Sequence, residues 1–269
     1  MLGSGSRGNA ILVESGDSRV LIDAGFSGKD LARRMAAVEV DPDSITAIVI
    51  THDHGDHTRG MGVFARRHGT PLHITARTRS ACRKLLSGKE AVVEYDSATP
   101  FGLGPLRIQP FLTVHDAVDP VAITVTDTST GSKLGVATDL GRPTTSVRAA
   151  LADSHLLVLE ANHDHARLWN GPYPWSVKQR IAGSRGHLSN EASAELVGEL
   201  FHDALAGVVL AHLSDSCNDP GLAEHAVGRS LERRGFRGLL EVADQDDAGR
   251  PIDVERLRQS TAPAQLNLF

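Results

Sequence analysis

Residues 51–57 read THDHGDH, and this short stretch governs the interpretation of the whole chain. It places three histidines and two aspartates within six consecutive positions, more costly polar side chains than an ordinary turn needs. Imidazole and carboxylate groups together bind Zn, Mn, Fe or Co. The stretch has no cysteine, which disfavours a closed structural zinc finger. It therefore predicts a catalytic type of metal site, with Gly55 letting the backbone fold tightly between ligands.

Four predicted β-strands run directly into a side chain that can bind a metal. The strands at 47–51, 106–113, 134–138 and 208–211 lead to His52, His115, Asp139 and His212, respectively. In open α/β folds, sites gather where the carboxyl ends of strands open into loops. Four separate strands ending in this way indicate that their side chains meet at one site.

Short apolar runs alternate with helical patterns along most of the chain. Further strands are predicted at 10–13, 20–23, 72–75, 121–126, 156–160 and 239–242, and helices at 28–38, 61–68, 78–86, 144–151, 190–205 and 220–234. This alternation predicts an α/β layered protein, and no repeat of ~20–50 residues is visible. We expect a folded domain over 1–253 and a flexible tail over 254–269.

Composition excludes several classes of protein. The net charge of −5 excludes a protein that binds nucleic acid through bulk positive charge, but not a nuclease whose grip is local. No run approaches the ~18 apolar residues of a membrane span, and the N-terminus lacks the pattern of a secretory signal. With two cysteines among 269 residues, a reducing cytosol is the natural environment. We expect a cytoplasmic protein without a membrane partner.

The motif and the order of the downstream residues resemble a known family. THDHGDH matches the His-x-His-x-Asp-His signature of the metallo-β-lactamase fold, and the resemblance spans nearly the whole chain. It implies an αβ/βα four-layer sandwich of two mixed β-sheets flanked by helices, with two divalent ions, Zn²⁺ or Mn²⁺, at one edge. The implied ligands are His52, His54 and His115 for the first ion, Asp56, His57 and His212 for the second, and Asp139 between both. Asp53 lies at a variable position and is not expected to be a ligand.

The implied metal pair predicts a reaction type more firmly than a substrate. Two divalent ions lower the pKa of a shared water and hold both the entering and the leaving oxygen. That chemistry suits hydrolysis of a phosphodiester, and equally of a thioester or a lactam. The motif alone is therefore strong evidence for a hydrolase and weak evidence for its substrate.

Two further segments resemble the nuclease branch of this family. Glu160 ends the predicted strand at 156–160, and His187 lies in GlyHisLeuSerAsn at 186–190. By resemblance to ribonuclease Z-like proteins, Glu160 orients His187, which protonates the leaving oxygen or grips the phosphate near the motif aspartate, Asp56. The alternatives are a plain salt bridge for Glu160 and a helix-start histidine bonded to its own backbone for His187.

A closer resemblance is to the YycJ/WalJ-like bacterial branch. It rests on the segments at 2–10, 138–141, 160–164, 173–174, 186–190 and 212–214. The resemblance implies a 5′→3′ DNA exonuclease with a role in mismatch repair. GlySerGlySerArgGlyAsn at 3–9 is either a loop whose amides face phosphate or a simple glycine turn. Because the family's first strand lies upstream of this motif, we expect that the start codon is misassigned or that an edge strand is missing.

Aromatic residues concentrate in one predicted loop between 164 and 187. Trp169, Tyr173 and Trp175 lie there, and they either stack nucleobases or pack as a lid. The same segment carries four basic residues, which either steer a DNA backbone or form a solvated face: Arg167, Lys178, Arg180 and Arg185.

The chain ends in a pentapeptide with three apolar residues after a linker of small residues. Gln265, Leu266, Leu268 and Phe269 resemble the Gln-Leu-x-Leu-Phe peptide by which bacterial repair proteins bind the sliding clamp. The alternatives are a chance match or packing onto the protein's own body. We expect the tail to tether the enzyme to the clamp and raise its effective concentration on DNA.

These observations predict a cytoplasmic di-metal phosphodiesterase, most simply a DNA exonuclease of replication or repair, with RNA as a possible substrate. Another hydrolase of the same fold, acting on RNA, a thioester or a lactone, is the alternative enzyme. A non-catalytic clamp- or DNA-binding adaptor with a relic site is the alternative from another class. The complete set of predicted ligands argues against the adaptor.

Overall fold

The computed structural model describes residues 1–261, and the first part of this chain forms a five-stranded sheet. Its strands, in order across the sheet, are β1 (Ile11–Ser15), β2 (Ser18–Ile22), β3 (Ala47–Val49), β4 (Leu72–Ile74) and β5 (Val92–Glu94). β1 and β2 form an antiparallel hairpin, and β2 to β5 run parallel. The helices between the parallel strands are α1 (Gly28–Ala37), α2 (Gly55–Thr58), α3 (Met61–His68) and α4 (Ala76–Ala81).

The second sheet has seven strands. Along the chain they are β6 (Phe101–Leu103), β7 (Leu106–Leu112), β8 (Val121–Asp127), β9 (Lys133–Ala137), β10 (Leu156–Glu160), β11 (Gly207–Ala211) and β12 (Leu239–Val242), and they lie across the sheet in reverse order. β6 to β9 are antiparallel neighbours, whereas β9 to β12 run parallel. The carboxyl ends of β7, β9, β10 and β11 therefore open at the same edge.

The remaining helices follow the strands of this second sheet. They are α5 (Thr145–Leu151), α6 (His165–Asn170), α7 (Trp175–Ile181), α8 (Asn190–Leu200), α9 (Pro220–Glu232) and α10 (Val254–Thr261). Side-chain oxygens cap several of these helices, as Thr144 does for α5 and Ser189 for α8, because they accept N–H groups that the first turn leaves unpaired.

The alternation of side chains along buried strands builds three apolar layers. In β2, Val20 and Ile22 point into the core between the two sheets, whereas Leu21 points to the core beneath α1 and α3. In β10, Val158 faces the core between the sheets and Leu157 the core beneath α5, α8 and α9. Strands covered on both faces are apolar throughout. The predicted αβ/βα four-layer sandwich of two mixed sheets is confirmed.

Several predicted elements differ from those observed. Residues 165–181, predicted as a loop, contain α6 and α7, because Pro and Gly occupy only the turn between two short helices. The helix predicted over 190–205 ends at Leu200, since Phe201 is extended, and Leu205 reaches the same core from the following turn. β5 and β6 were not predicted because, unlike the equally short but fully buried β3 and β4, they have no buried residue and so no continuous apolar run.

The predicted boundary at residue 253 requires correction. Val254 and Leu257 lie on one face of α10; Val254 packs against the core between the sheets, and the side chain of Leu257 covers Gly207. Glu255 accepts a hydrogen bond from Ser132 at 2.9 Å. This amphipathic helix was not predicted because most of its residues are polar. Since α10 packs on the rest of the domain, the domain extends to Thr261. The pentapeptide at 265–269 lies outside the described residues.

Residues 1–261 contain no helix with both the length and the apolar character that crossing a membrane requires.

Candidate metal centre

Seven predicted ligands converge where the carboxyl ends of the strands open. Their donor atoms fall into two groups with spacings within 4.8 Å, namely His52, His54, His115 and Asp139, and Asp56, His57 and His212. We call these seven residues the ligand cluster. Asp139 lies between the two groups, with Oδ1 3.4 Å from His115 Nε2 and Oδ2 3.2 Å from His57 Nε2. Asp139 therefore lies within reach of both groups.

Local structure places the motif residues around that point. β3 delivers His52, and His54 is the N-cap of the one-turn helix α2, which carries Asp56 and His57. Asp53 turns away, with Oδ1 accepting a hydrogen bond from the amide of Val118 at 3.0 Å. The motif thus points the side chains of the predicted ligands inward from both an extended segment and a helical turn, whereas the side chain of Asp53 bonds Val118.

Unpaired polar atoms in the ligand cluster fit a divalent cation. His52 Nε2 and Asp139 Oδ2 are buried and make no hydrogen bond among the described residues. An unpaired buried polar atom is costly, and imidazole nitrogen with carboxylate oxygen is a donor set suited to Zn²⁺ or Mn²⁺. The residues present therefore fit the metal that the motif predicts.

Hydrogen bonds fix the orientation of three of the imidazoles. Nδ1–H of His57 donates to Asp23 at 2.7 Å, that of His115 to the carbonyl of Gly186 at 3.0 Å, and that of His212 to Glu160 at 2.9 Å. A ring that donates through Nδ1 keeps a lone pair on Nε2, which is the arrangement of a metal-ligating histidine with an oriented partner. In all three rings Nε2 faces the ligand cluster.

Asp23 supports the centre and was not identified from the sequence. Its two carboxylate oxygens bond His57 Nδ1 and both the amide and the hydroxyl of Thr51. It therefore holds the motif at both ends. The signal was available, because Asp23 ends the predicted strand at 20–23 in the same way as the four ligands end theirs.

Three residues of the centre adopt the left-handed backbone conformation. Asp23, Asp139 and His212 have φ of 61°, 59° and 57°. For residues with a Cβ this conformation costs about 1–2 kcal/mol each. Each of the three follows the end of a strand and turns its side chain toward the centre. Strain concentrated in this way is typical of a functional site.

Glu160 is fully buried beside the ligand cluster and accepts five hydrogen bonds. The donors are the amides of Asp139, Leu140 and Leu188 and the Nδ1 atoms of His187 and His212, at 2.8–3.1 Å. Asp139, Glu160, His187 and His212 also satisfy the spacing of a metal site. Because the N–H donors already occupy the oxygens of Glu160, we assign this third group to hydrogen bonding rather than to metal binding.

His187 lies next to the ligand cluster but outside its two groups. Its Nδ1 donates to Glu160 at 2.8 Å, and its ring centroid lies 5.0 Å from that of His115 and 5.2 Å from that of His212. The predicted Glu160–His187 pair is thus present in the geometry. The ring bonds Glu160 and not its own backbone, and its side chain is 18% exposed.

Electrostatic shifts follow from this crowding of charges. Burial opposes the ionised form of Glu160, but the imidazoles of His187 and His212 outweigh it and bring the pKa to about 2. Burial likewise opposes protonation of His187, yet Glu160 raises its pKa above the usual value. Burial and the neighbouring His57 hold the pKa of His52 well below its usual value, which keeps that ring neutral and able to bind a cation.

The glycine-rich loop at 3–9 supports the centre instead of facing phosphate. Its amides bond within the protein: Ser4 to Asp244, Gly5 and Gly8 within the loop, Arg7 to Gln245 and Asn9 to Asp56. Ser4 Oγ accepts the amide N–H of His212 at 2.9 Å, and Asn9 Nδ2 lies 3.2 Å from Asp56 Oδ2. Of the two predicted alternatives, these hydrogen bonds favour the glycine turn over the phosphate-facing loop.

Gly25, not Gly55, is the glycine on which the motif depends. A Cβ on Gly25 would lie 1.6 Å from the carbonyl oxygen of Asp56, whereas one on Gly55 meets nothing within 4 Å. Gly55 is the first residue of α2 and needs no special conformation. The close approach of two chain segments, which local sequence does not reveal, explains the difference.

Comparisons with known proteins agree with this fold and this centre. A family model described as the metallo-beta-lactamase superfamily matches residues 3–142, which include His52, His115 and Asp139. Exodeoxyribonuclease YycJ of Bacillus anthracis is 31% identical over 254 residues, covering 91% of this chain and 94% of that protein. Exodeoxyribonuclease WalJ of Streptococcus pneumoniae is 34% identical over 237 residues, covering 86% of this chain and 87% of that protein.

A solved structure shows the same fold at lower sequence identity. The metallo-beta-lactamase fold protein YhfI from Bacillus subtilis has a TM-score of 0.69 and 19% identity, covering 90% of this chain and 94% of that one. At this identity the likeness shows the fold alone.

We expect Gly25→Ala to destabilise the protein and Gly55→Ala to leave its stability unchanged. The added methyl group at 25 forces the backbone around Asp56 to move, a cost of about 1–3 kcal/mol. That corresponds to a melting temperature lower by about 3–10 °C. Thermal unfolding of both variants with a chelator present measures it; equal melting temperatures would show that the close approach is unimportant.

Proposed function

The chain belongs to the metallo-β-lactamase superfamily and is a metal-dependent hydrolase, and from this premise we propose that it cleaves the phosphodiester bonds of DNA from the 5′ end. The names of two relatives that align with most of the chain, both exodeoxyribonucleases, support this substrate. The 5′→3′ polarity and a role in replication or repair follow the resemblance of the motifs to the YycJ/WalJ-like branch.

The observation that carries the proposal is the position of His187. Its imidazole lies outside the two ligand groups, beside them, and Glu160 holds it at 2.8 Å. A sugar oxygen leaving a phosphodiester needs a proton, whereas a thiolate leaving a thioester is stable as an anion because thiol pKa values lie near 8.5. A dedicated proton donor therefore favours phosphodiester over thioester hydrolysis.

The ligand cluster would hold two divalent cations, Zn²⁺ or Mn²⁺, one for each of its groups, with Asp139 shared. When bound, such cations supply Lewis acidity to the phosphate and lower the pKa of water. The chain's own residues supply the geometry. Glu160 orients His212 through Nδ1, and His212 Nε2 lies 3.2 Å from Asp56 Oδ2, so one chain of contacts joins the motif aspartate to Glu160.

His187 is the proposed general acid. Because Nδ1 donates to Glu160, the other ring nitrogen, Nε2, is left to give a proton to the departing sugar oxygen. Glu160 outweighs burial and raises the pKa of the imidazole above its usual value, which favours the protonated ring that a general acid requires.

We expect the metal-reconstituted protein to release nucleotides from the 5′ end of DNA. The assay presents 5′- and 3′-labelled DNA and RNA, single- and double-stranded, beside a thioester and a lactam. The double variant Asp56→Ala, His57→Ala should lose hydrolysis while keeping its far-ultraviolet circular dichroism. Nuclease activity retained by that variant, or hydrolysis of the thioester alone, would refute the assignment.

His187→Ala should separate proton donation from metal binding. Loss of a general acid lowers turnover by about 10²–10⁴-fold. Metal content, measured by inductively coupled plasma spectrometry, should stay as in the unmodified protein because His187 is outside the two ligand groups. His225→Ala, an exposed imidazole on α9, is the matched control and should change neither quantity. Loss of metal with turnover per bound metal unchanged would make His187 a ligand instead.

We further propose that the C-terminal pentapeptide recruits the enzyme to the bacterial sliding clamp. The support is its sequence, with Gln265, Leu266, Leu268 and Phe269 at the spacing of clamp-binding peptides. Bound in this way, the nuclease would be concentrated on DNA without any new contact at its active centre.

Full-length protein should bind purified clamp, and a chain ending before Gln265 should not. Calorimetric titration measures both, and Leu266→Ala with Phe269→Ala serves as a variant of unchanged length. Equal binding by the full and shortened chains would contradict clamp recruitment. A lower melting temperature of the shortened chain, without clamp binding by either, would instead indicate packing onto the protein's own body.

A further inference from the structure

We propose that α6 and α7 form a platform for single-stranded nucleic acid, on which Trp175 stacks an unpaired base and Arg180 and Arg185 contact phosphates. This inference rests on the proposed nuclease function and adds the strandedness of its substrate. The platform consists of the exposed part of Trp175 and the groove between residues 116–118 and 179–185, in which Asp116 contacts His115 of the ligand cluster.

Trp175 has the geometry of a stacking surface. At 64%, it is the most exposed large apolar side chain among residues 1–261. Its ring lies against that of Trp169, with centroids 5.0 Å apart and ring planes tilted by 44°. Trp169 is itself held, because its indole N–H donates to His165 at 3.0 Å and its carbonyl accepts from Lys178 at 2.8 Å. Trp175 therefore presents a supported ring to solvent.

The charge of this segment complements a nucleic-acid backbone. Residues 165–190 contain Arg167, Lys178, Arg180 and Arg185 and no aspartate or glutamate, in a chain whose net charge is −5. Exposed aromatic rings interleaved with cations are the combination that binds single strands, through base stacking and phosphate contacts. The positive charge and the exposed ring of this surface therefore match the phosphates and bases of a nucleic-acid strand.

The platform is continuous with the metal centre. The amide of His187 donates to the carbonyl of Ile181, the last residue of α7, at 2.9 Å. Trp175 begins that helix, six residues earlier, which is about 9 Å along the axis. Arg180 and Arg185, near the end of this helix, line an open cavity of about 570 Å³ together with Asp116, which lies 3.3 Å from His115 of the ligand cluster. A strand stacked on Trp175 would therefore reach the ligand cluster within a few nucleotides.

Two carboxylates also line this cavity, and both are engaged. Asp53 accepts the amide of Val118, and Asp116 lies 3.4 Å from Nε of Arg180 and 3.3 Å from Nε2 of His115. The contact of Arg180 uses only Nε, so its remaining N–H donors can bond a phosphate. Arg185 approaches the carbonyl of His115 at 3.4 Å, which places a second guanidinium at the entrance.

Stacking on Trp175 requires an unpaired base, because the faces of bases in a duplex are already covered. The structure thus assigns a preference for single-stranded ends or overhangs. Binding is measured by fluorescence anisotropy in chelator, without hydrolysis, with a labelled 20-nucleotide oligo(dT) and a 20-base-pair duplex. Trp175→Ala should weaken binding of the single strand by about 5- to 150-fold. Trp175→Phe should restore most of it, and duplex binding should change less than about twofold.

Salt titration tests the phosphate contacts separately. Each lost contact to a single strand should reduce the slope of log K against log salt by about 0.7. We expect this for Arg180→Gln and for Arg185→Gln. Arg237→Gln is the matched control, since Arg237 is exposed and precedes β12, at the end of the sheet opposite the site. If the slopes of Arg180→Gln and Arg185→Gln equal those of Arg237→Gln and of the unmodified protein, the proposed phosphate contacts are wrong.

Intrinsic fluorescence reports on the stacking itself. Oligo(dT) should quench the emission of the unmodified protein, and the quenching should disappear in Trp175→Phe. Unchanged binding by Trp175→Ala, or equal losses for single strand and duplex, would overturn the platform. If the protein binds single strands through Trp175 but shows no activity in the nuclease assay, the proposed function is wrong and the platform stands.

Discussion

The carboxylate of Glu160 is the interaction on which the centre depends. It is buried at the end of β10 and accepts five N–H groups from the segments that follow β9 and β11 and from the loop that carries His187. Removing one partner of such a network leaves a buried charge uncompensated, which is far more costly than the net gain from forming it. Glu160 thereby fixes at once the backbone of Asp139, the ring of His212 and the ring of His187.

A second carboxylate does the same for the other sheet. Asp23 accepts hydrogen bonds from His57 and from the amide and the hydroxyl of Thr51. The glycine-rich loop adds contacts from Asn9 to Asp56 and from Ser4 to His212. The ligands therefore do not depend on their own loops for position. Left-handed backbone at Asp23, Asp139 and His212 is tolerated because these hydrogen bonds and the packed cores on both sides of each sheet offset its cost.

The sequence predicts most of the ligand cluster because metal chemistry restricts residue type and because strand ends reveal themselves as apolar runs that stop at a polar residue. It does not reveal contacts between distant segments, so Gly55 was favoured where Gly25 makes the close approach. It also misjudges short elements whose stability comes from tertiary packing. Helices α6 and α7 were interpreted as a loop, and the apolar face of α10, Val254 with Leu257, is too small to stand out in a polar segment.

The two ligand groups differ in how far apart their members lie along the chain. His52, His54, His115 and Asp139 all belong to the first 139 residues, whereas the partner of Asp56 and His57 is His212. On a ribosome, which releases a chain from its N-terminus at about 5–20 residues each second, the four residues of the first group emerge several seconds before His212. Glu160, which holds the backbone of Asp139, and Gly186, whose carbonyl orients His115, also emerge later, so even the first group is synthesised before the groups that position it.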